Sequence, residues 1–460
     1  MDREKNMIIE RVKSSIVAQL SYFIGSQTEA MVVDPRRDGQ IYVDLARREH
    51  MNIQYVFETH RNEDYVIGSR ELAARTGAEI YHGPWPDFTY GHTLRDGQEF
   101  AVGRLRVTAI HTPGHTPGCV SYAVADLDSG EDTVLVCTGD TLFVNDVGRT
   151  DFGGPAKRRA WSEALYASIV HKLLPLGDHV ILLPAHGAGS VCGGNIADRE
   201  WSTLGLERRM NPLLQMSKED FIAYKVTEHH EYAPYFRQME QYNREGAPFV
   251  EGRPTPTALT PDQLQRRLDA GALLVDTRAP TAFGGAHISG AYNIPASRLS
   301  IAGWLLPYDQ PILLLTEDTA DLEYATQSLI HIGYDNVEGY LAQGLSAWFK
   351  AGFPLESSGL LTAQALKDRL DAGEALTLLD VRSRDEWAAG HIPGVQHIYL
   401  GLLEPRLDEV PSGLPIVVIC KTGTRASAGA SILLRRGRRD VYNLLGGMDA
   451  WKKRNYAITT

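Results

Sequence analysis

Short β-branched and aliphatic runs alternate with amphipathic stretches along the chain, a pattern that predicts an α/β architecture. In the first half the predicted strands are Met31–Val33, Tyr55–Phe57, Leu105–Ile110, Thr133–Cys137 and Val180–Leu183, with helical stretches between some of them. Ser217 followed by Asp220 predicts an N-cap before a helix at Phe221. In the second half the pattern repeats. LTPDQLQRRLDAGALLVDTR begins at Leu259, and LTAQALKDRLDAGEALTLLDVR begins at Leu361. AHISGAYNIP around His287 returns as GHIPGVQHIY around His391, 104 residues later, and GLSAW ending at Trp348 returns as GMDAW ending at Trp451, 103 residues later. So little drift over about 100 residues predicts two copies of one domain, not short solenoid units. Each copy reads as helix, apolar strand, loop, strand, helix, which predicts a parallel sheet. Pro- and Gly-rich Arg244–Ala258 and the ESSG of Glu356–Gly359 read as linkers. The predicted domains are residues 1–245, 258–356 and 360–460.

Composition narrows the class. A length of 460 residues at ~150 per domain agrees with about three domains. With 43% hydrophobic and 22% charged residues, disorder is excluded as the dominant state. The formal charge of −11, with no concentrated basic patch, argues against nucleic-acid and anionic-membrane partners. No apolar run approaches the ~18 residues of a membrane span. The N-terminal stretch is broken by Glu10, Arg11 and Lys13 and lacks the core of a signal peptide. Cys119, Cys137, Cys192 and Cys420 are too few and too scattered for a disulfide framework. The expectation is a soluble, cytoplasmic protein, compatible with a homo-oligomer.

Four predicted strands of the first domain end in groups able to bind metal. They run into Thr59-His60-Arg61-Asn62-Glu63-Asp64-Tyr65, His111-Thr112-Pro113-Gly114-His115, Thr138-Gly139-Asp140 and Pro184-Ala185-His186-Gly187. One histidine in such a place is usually only hydrogen-bonded or exposed. Four such ends point to side chains converging on one edge of a sheet, where metal sites are readily built.

This order resembles the metallo-β-lactamase superfamily over about residues 7–245. The family pattern is T-H-x-H-x-D-H, P-G-H-T-x-G, G-D and a late His. The chain keeps His60, Asp64, His115, Asp140 and His186, and carries Asn62 and Tyr65 where the family has histidines. The resemblance implies an αββα sandwich. Each metal of a two-zinc hydrolytic site would lose a ligand through these departures. His60, His115 and Asp140 survive: two imidazoles and a carboxylate with open positions, the set of non-haem Fe(II) oxygenases. These positions resemble the iron ligands of the superfamily's persulfide dioxygenases, and Gly148-Arg149-Thr150-Asp151-Phe152 resembles their G-R-T-D-F segment. The resemblance implies mononuclear Fe(II), with zinc the alternative, and a low-molecular-weight thiol persulfide and O2 as substrates. It puts Arg149 near the thiol substrate, where a cation suits a glutathione-like carboxylate; the competing reading is a structural salt bridge. Asp64 and His186 are expected as partners of iron-bound water, and Tyr65 as another partner or as packing.

In the last copy, predicted strand Ile416–Ile419 runs into Cys420-Lys421-Thr422-Gly423-Thr424-Arg425 and then an Ala-rich stretch. A cysteine in a loop entering a helix N-terminus gains loop N–H groups and the helix dipole, which favour a thiolate; Lys421 and Arg425 add positive charge. Both copies resemble rhodanese-type sulfurtransferases, through Asp380–Arg382, Gly390–Gly394 and Gly446–Trp451. The resemblance implies Cys420 as nucleophile, assisted by Lys421 and Arg425, with Gly423 and Thr424 lining the substrate loop. The loop is C-x4-R, one residue shorter than in related phosphatases, and fits a sulfane sulfur such as that of thiosulfate. Cys119, Cys137 and Cys192 lack this context and read as packing.

In the middle copy Thr316 stands at the cysteine position and Asp321 at the arginine position, with Glu317 and Asp318 between them. A hydroxyl cannot carry a persulfide, and three carboxylates repel a sulfur anion. That copy is therefore expected to be catalytically inactive and to act as a spacer. The whole reads as an Fe(II) persulfide dioxygenase fused to a thiosulfate:thiol sulfurtransferase, yielding sulfite, thiosulfate or both. The rival readings are a dinuclear zinc thioester hydrolase of glyoxalase II type joined to a sulfurtransferase, and a non-catalytic metal-binding sensor or scaffold attached to one.

Overall fold

The computed structural model describes residues 7–14, 16–85, 88–199, 201–250, 252–253 and 255–460; the start of the predicted first domain and Glu251 and Pro254 of the predicted linker lie outside them. The chain divides into two compact units, residues 1–253 with 330–333, and residues 254–329 with 334–460. The two sequence repeats share the second unit almost whole.

The first unit is the expected α/β sandwich. One six-stranded sheet runs, in spatial order, Ile8–Ser14, Gln19–Ser26, Glu29–Val33, Asn52–Phe57, Glu79–His82 and His92–Thr93. The other runs Ser202–Thr203, Ile181–Pro184, Thr133–Gly139, Val120–Asp126, Leu105–His111 and Glu99–Val102. Alternation sorts the faces. Tyr22, Ile24, Met31, Val33 and Phe57 meet Val107, Val120, Tyr122, Val124 and Leu135 between the sheets. Phe23, Val32 and Val56 turn outward beneath helices Gln40–Glu49 and Ser69–Thr76. Val136 and Leu182 do the same beneath Pro155–Ser168 and Lys218–Thr227. Ser217 caps the last of these helices, accepting a hydrogen bond from the Asp220 N–H at 3.1 Å. Apolar runs alone do not predict strand Ile8–Ser14. It lies at a sheet edge, where Glu10, Arg11 and Lys13 are tolerated.

The polar strand ends do not share one sheet edge, as the sequence reading has it. His60 follows a strand of the first sheet, whereas His115, Asp140 and His186 follow strands of the second. The site therefore bridges the sandwich. A register shift between Cys137 and Gly139 in the pairing with Ile181–Pro184 re-aims the chain at Asp140. Gly139 has φ 54°, and a Cβ there would lie 2.5 Å from Thr59 Oγ1, so only glycine lets the two loops close.

The second unit holds two parallel five-stranded sheets of one topology. The first runs Thr257–Leu259, Val337–Leu341, Ile312–Leu315, Leu273–Asp276, Tyr292–Asn293, and the second Gly359–Leu361, Val441–Leu444, Ile416–Ile419, Thr377–Asp380, Gln396–His397. The repeat extends to side-chain detail. Trp348 and Trp451 are buried and each donates its indole N–H at 2.9 Å, to the carbonyls of Pro354 and Ala457. Arg278 and Arg382 each fork onto the buried carboxylate two residues before, Asp276 and Asp380. The copies pack directly on one another. Ser427, on the helix that follows Cys420, donates at 2.5 Å to Asn293 Oδ1 of the first copy, and Arg435 lies 3.9 Å over the Tyr292 ring. No helix among the described residues is long and apolar enough to cross a membrane.

Candidate metal centre and thiol site

Asp34 organises the loop after strand Asn52–Phe57. It accepts from the Thr59 N–H at 2.8 Å and from Thr59 Oγ1 at 2.7 Å. With its proton committed, Thr59 Oγ1 accepts from His60 Nδ1 at 2.9 Å. That leaves the lone pair of His60 on Nε2. His115 is fixed the same way, donating from Nδ1 to the Arg149 carbonyl at 2.9 Å. Such partners set tautomer and ring direction in metal-binding histidines. Gly148 makes the approach possible, because a Cβ there would lie 2.0 Å from the Asp140 carbonyl oxygen.

Three atoms then face one point. Asp140 Oδ2 lies 3.7 Å from His60 Nε2 and 3.6 Å from His115 Nε2. All three are buried and have no hydrogen-bond partner. Atoms bound to one ion at ~2.0–2.2 Å stand roughly 3–4 Å apart, so the set fits a single divalent ion. Burial holds the His60 imidazole down at about 3, against the pull of Asp140, so it is neutral. Burial alone would raise the Asp140 carboxyl, but His186, His60 and His115 outweigh it and hold it well below the usual carboxylate range. For His115 burial opposes the charge, yet Glu63 and Asp140 raise its pKa.

His186 stands behind this set. Its Nδ1 hydrogen-bonds Asp140 Oδ1 at 2.7 Å, and its Nε2 lies 3.2 Å from Asp64 Oδ2 without hydrogen-bond alignment. Burial disfavours its charge, but Asp140 and Asp64 raise its pKa well above normal. Tyr65, at a family histidine position, is buried with an unpartnered hydroxyl, its ring 5.8 Å from His186. Burial pushes that phenol up, so it offers a neutral oxygen. Asn62 turns its amide N–H to the His60 carbonyl at 3.3 Å. Each metal of the two-zinc family pattern is therefore one imidazole short, the first at Asn62 and the second at Tyr65.

The structure also brings in residues that the sequence reading passed over. Glu63 is buried beside the two imidazoles, its Oε2 3.6 Å from His115 Nε2 and 4.0 Å from His60 Nε2. Asn243 pins the loop by donating to the carbonyls of Asn62 and Tyr65, both at 2.7 Å. Cys192, read as packing, offers its sulfur within 4.8 Å of donor atoms of Asp64 and His186. It is carried there by an irregular loop whose Cys192 carbonyl accepts from the Arg149 N–H at 3.2 Å. Burial, then Asp64 and Asp140, push its thiol well up. Only the hydrogen-bonded loop, not a motif, reveals this placement.

Arg149 corrects an expectation. Its guanidinium is buried and forks onto Asp151 at 2.6 and 2.7 Å, with Nη1 on the Val191 and Glu231 carbonyls at 3.3 and 3.4 Å. It also lies 4.5 Å over the Phe152 ring, which in turn meets His115 edge-on at 5.2 Å. Arg149 is therefore committed to the structural salt bridge and orients the wall of the site. It does not present a charge to a substrate carboxylate.

In the second unit Cys420 is buried at the end of Ile416–Ile419, and its Sγ accepts from the Gly423 N–H at 3.1 Å. Gly423, at φ 101°, turns the loop so that N–H points at the sulfur before helix Thr424–Arg435. Thr424 opens that helix and Lys421 is exposed at the rim. Arg425 is bound by Glu386 at 2.6 and 2.7 Å; burial works to lower its pKa, but the carboxylate outweighs burial and raises it. Its charge beside Cys420 is thus shared with a carboxylate. In the middle copy Thr316 donates to the Asp318 carbonyl at 2.9 Å, and Asp318 accepts from the Asp321 N–H at 2.8 Å. The carboxylate occupies the helix end that an anion would need.

Comparison with known proteins agrees with this division. Residues 16–186 match the metallo-beta-lactamase superfamily, and residues 260–351 and 362–454 each match the rhodanese-like domain. A metallo-beta-lactamase of known structure from Staphylococcus aureus is 30% identical, the match covering 74% of this chain and 100% of that one with a TM-score of 0.66. The mitochondrial persulfide dioxygenase ETHE1 of Bos taurus is 29% identical over 210 residues, 44% of this chain and 74% of that protein. The hydroxyacylglutathione hydrolase GloC of Haemophilus influenzae is 26% identical over 210 residues, 41% of this chain and 88% of that protein.

Proposed function

The chain belongs to the metallo-β-lactamase superfamily and carries two rhodanese-like domains, and from that premise we propose that it oxidises a low-molecular-weight thiol persulfide with O2 and transfers sulfane sulfur at Cys420. The observation that carries this reading is the buried convergence of His60 Nε2, His115 Nε2 and Asp140 Oδ2, each without a partner. A bound Fe(II) would supply open positions and electron transfer between the persulfide sulfur and O2. The residues supply the rest. Thr59 and the Arg149 carbonyl hold the imidazole tautomers, and His186 holds the carboxylate of Asp140. Phe152 closes the side against His115 and keeps water from that wall. The overall change is RSSH + O2 + H2O to RSH, sulfite and two protons. At the second site Cys420 attacks the outer sulfur of thiosulfate, sulfite leaves, and the resulting persulfide passes its sulfur to a thiol. Run in reverse, sulfite formed by the first site becomes thiosulfate at the second. Cytoplasmic location and mononuclear iron belong to the same proposal.

The second reading is a zinc thioester hydrolase joined to a sulfurtransferase. It draws on the GloC relative and on the group Asp64, His186 and Cys192 as a further set of donors. One comparison separates the two. Given a glutathione persulfide, the chain is expected to form sulfite or thiosulfate in air and neither under argon. A hydrolase would instead cleave a glutathione thioester equally well in air and under argon.

The middle copy is proposed to be inactive because its cradle is filled, not only because the nucleophile is missing. A Thr316→Cys, Cys420→Ser double variant is therefore expected to show less than a hundredth of wild-type thiosulfate turnover. Turnover near wild type would show that the loop with Asp318 and Asp321 accepts an anion after all.

A further inference from the structure

Helix Thr424–Arg435, which follows the Cys420 loop, is buried continuously from Ala426 to Leu433. A helix without a solvent face is packed from more than one side. On one side Gly429 lies against its own copy, where a Cβ would stand 3.1 Å from Val418 Cγ1. On the other side the middle copy holds the helix at both ends. At the far end Arg435 donates to the Gly290 carbonyl and lies 3.9 Å over the Tyr292 ring, and Leu434 packs onto the middle copy's core. At the near end Ser427 Oγ donates to Asn293 Oδ1 at 2.5 Å, and both side chains are buried. Asn293 is itself fixed, its Nδ2 donating to the Asp276 and Arg278 carbonyls, both at 3.0 Å. The bond to Ser427 is not a feature of the repeat. Asn293 and His397 pair in the same register with Asp276 and Asp380, yet His397 Nε2 turns to the Arg382 carbonyl of its own copy at 2.8 Å. At the position of Ser427 the middle copy has Glu323, which is exposed.

From Ser427 the connection runs to the sulfur. The Ser427 N–H donates to the Gly423 carbonyl at 3.1 Å, and the Gly423 N–H donates to Cys420 Sγ at 3.1 Å. We infer that Asn293 is a positioning residue for sulfur transfer: through Ser427 the middle copy fixes the turn that aims the Gly423 N–H at Cys420. The inference rests on the reading of Cys420 as the sulfur-transfer nucleophile. In that step the Cys420 thiolate attacks the outer sulfur of thiosulfate. The S–S bond of thiosulfate breaks with its electron pair going to sulfite, and Cys420 is left carrying a persulfide. The attacking sulfur must lie in line with the bond that breaks, and a donor already fixed on it holds that line without reorganising. Arg425 has its own anchor, Glu386 at 2.6 and 2.7 Å, so loss of the Asn293 bond loosens the turn at the sulfur and not the cation beside it. The middle copy is thus a working part of the last copy's site and not a spacer alone.

The test is the sulfite burst from thiosulfate in a single turnover of the full chain, which gives both a rate constant and an amplitude. Ser427→Ala and Asn293→Ala are each expected to lower the rate constant ~10-fold while the amplitude stays at about one sulfite per chain. A part played only in folding would do the reverse, lowering the amplitude and leaving the rate constant of the folded chains alone. Because the two residues act as a pair, the double variant is expected to match the single ones within about twofold. Arg435→Ala removes a contact between the copies at the other end of the helix, ~12 Å along its axis from Ser427, and is expected to keep the wild-type rate constant. A Ser427→Ala rate constant within about twofold of wild type overturns the inference. So do losses that multiply in the double variant, a lowered amplitude at an unchanged rate constant, or an equal loss in Arg435→Ala. If Asn293→Ala does not fold, Ser427→Ala against Arg435→Ala decides alone. A wild-type chain that gives no burst removes the sulfurtransferase reading, and this inference with it.

Discussion

Replacing His115 with alanine is expected to abolish persulfide-dependent O2 uptake. The side chain contributes one of three donor atoms that meet without partners in a buried site, and the further imidazole nearby, His186, is hydrogen-bonded to Asp140 Oδ1. Loss of outer partners of metal ligands alone costs ~10–100-fold in affinity or activity, so loss of a ligand should cost at least ~100-fold. The damage should be local. The Arg149 carbonyl loses its His115 partner, but the Arg149–Asp151 fork remains. The proposed sulfurtransferase site at Cys420 lies in the other compact unit and should keep its full rate. O2 electrode traces and bound metal, read beside thiosulfate turnover, check this. More than about a tenth of wild-type uptake in a variant that still binds metal would remove His115 from the centre.

The second large effect is the converse. Cys420→Ser is expected to reduce sulfur transfer from thiosulfate by at least ~10³-fold while leaving O2 uptake from a supplied persulfide unchanged. Serine keeps the size of the side chain and can still accept from the Gly423 N–H, so the loop should stand. What it loses is a sulfur able to be attacked and to leave. Substantial thiosulfate:thiol transfer in the variant would mean that another nucleophile serves, and Cys192 would be the first to test.

The parts of this molecule that were legible in the sequence are those in which chemistry follows chain order. The repeat announced itself because Trp348 and Trp451, and the pairs Asp276–Arg278 and Asp380–Arg382, do the same packing work in each copy. His60, His115 and Asp140 were visible because each follows a strand end. What stayed hidden depends on side chains meeting across the fold. Glu63 sits at a spacer position of the ligand motif, and only the approach of His115 from the opposite sheet shows what it faces. Cys192 reaches Asp64 and His186 from a loop with no periodicity. Arg149 failed as a substrate cation for a local reason: Asp151, two residues on, captures it. The hairpin Ile8–Ser14 with Gln19–Ser26 was masked by charges that an edge strand tolerates.

The most direct measurement is the stoichiometry of O2 consumption by the purified chain loaded with one Fe(II). The account predicts about one O2 per glutathione persulfide, with the uptake lost when the iron is removed and regained when it is restored. A chain that binds two zinc ions, ignores O2 and hydrolyses a glutathione thioester would contradict it.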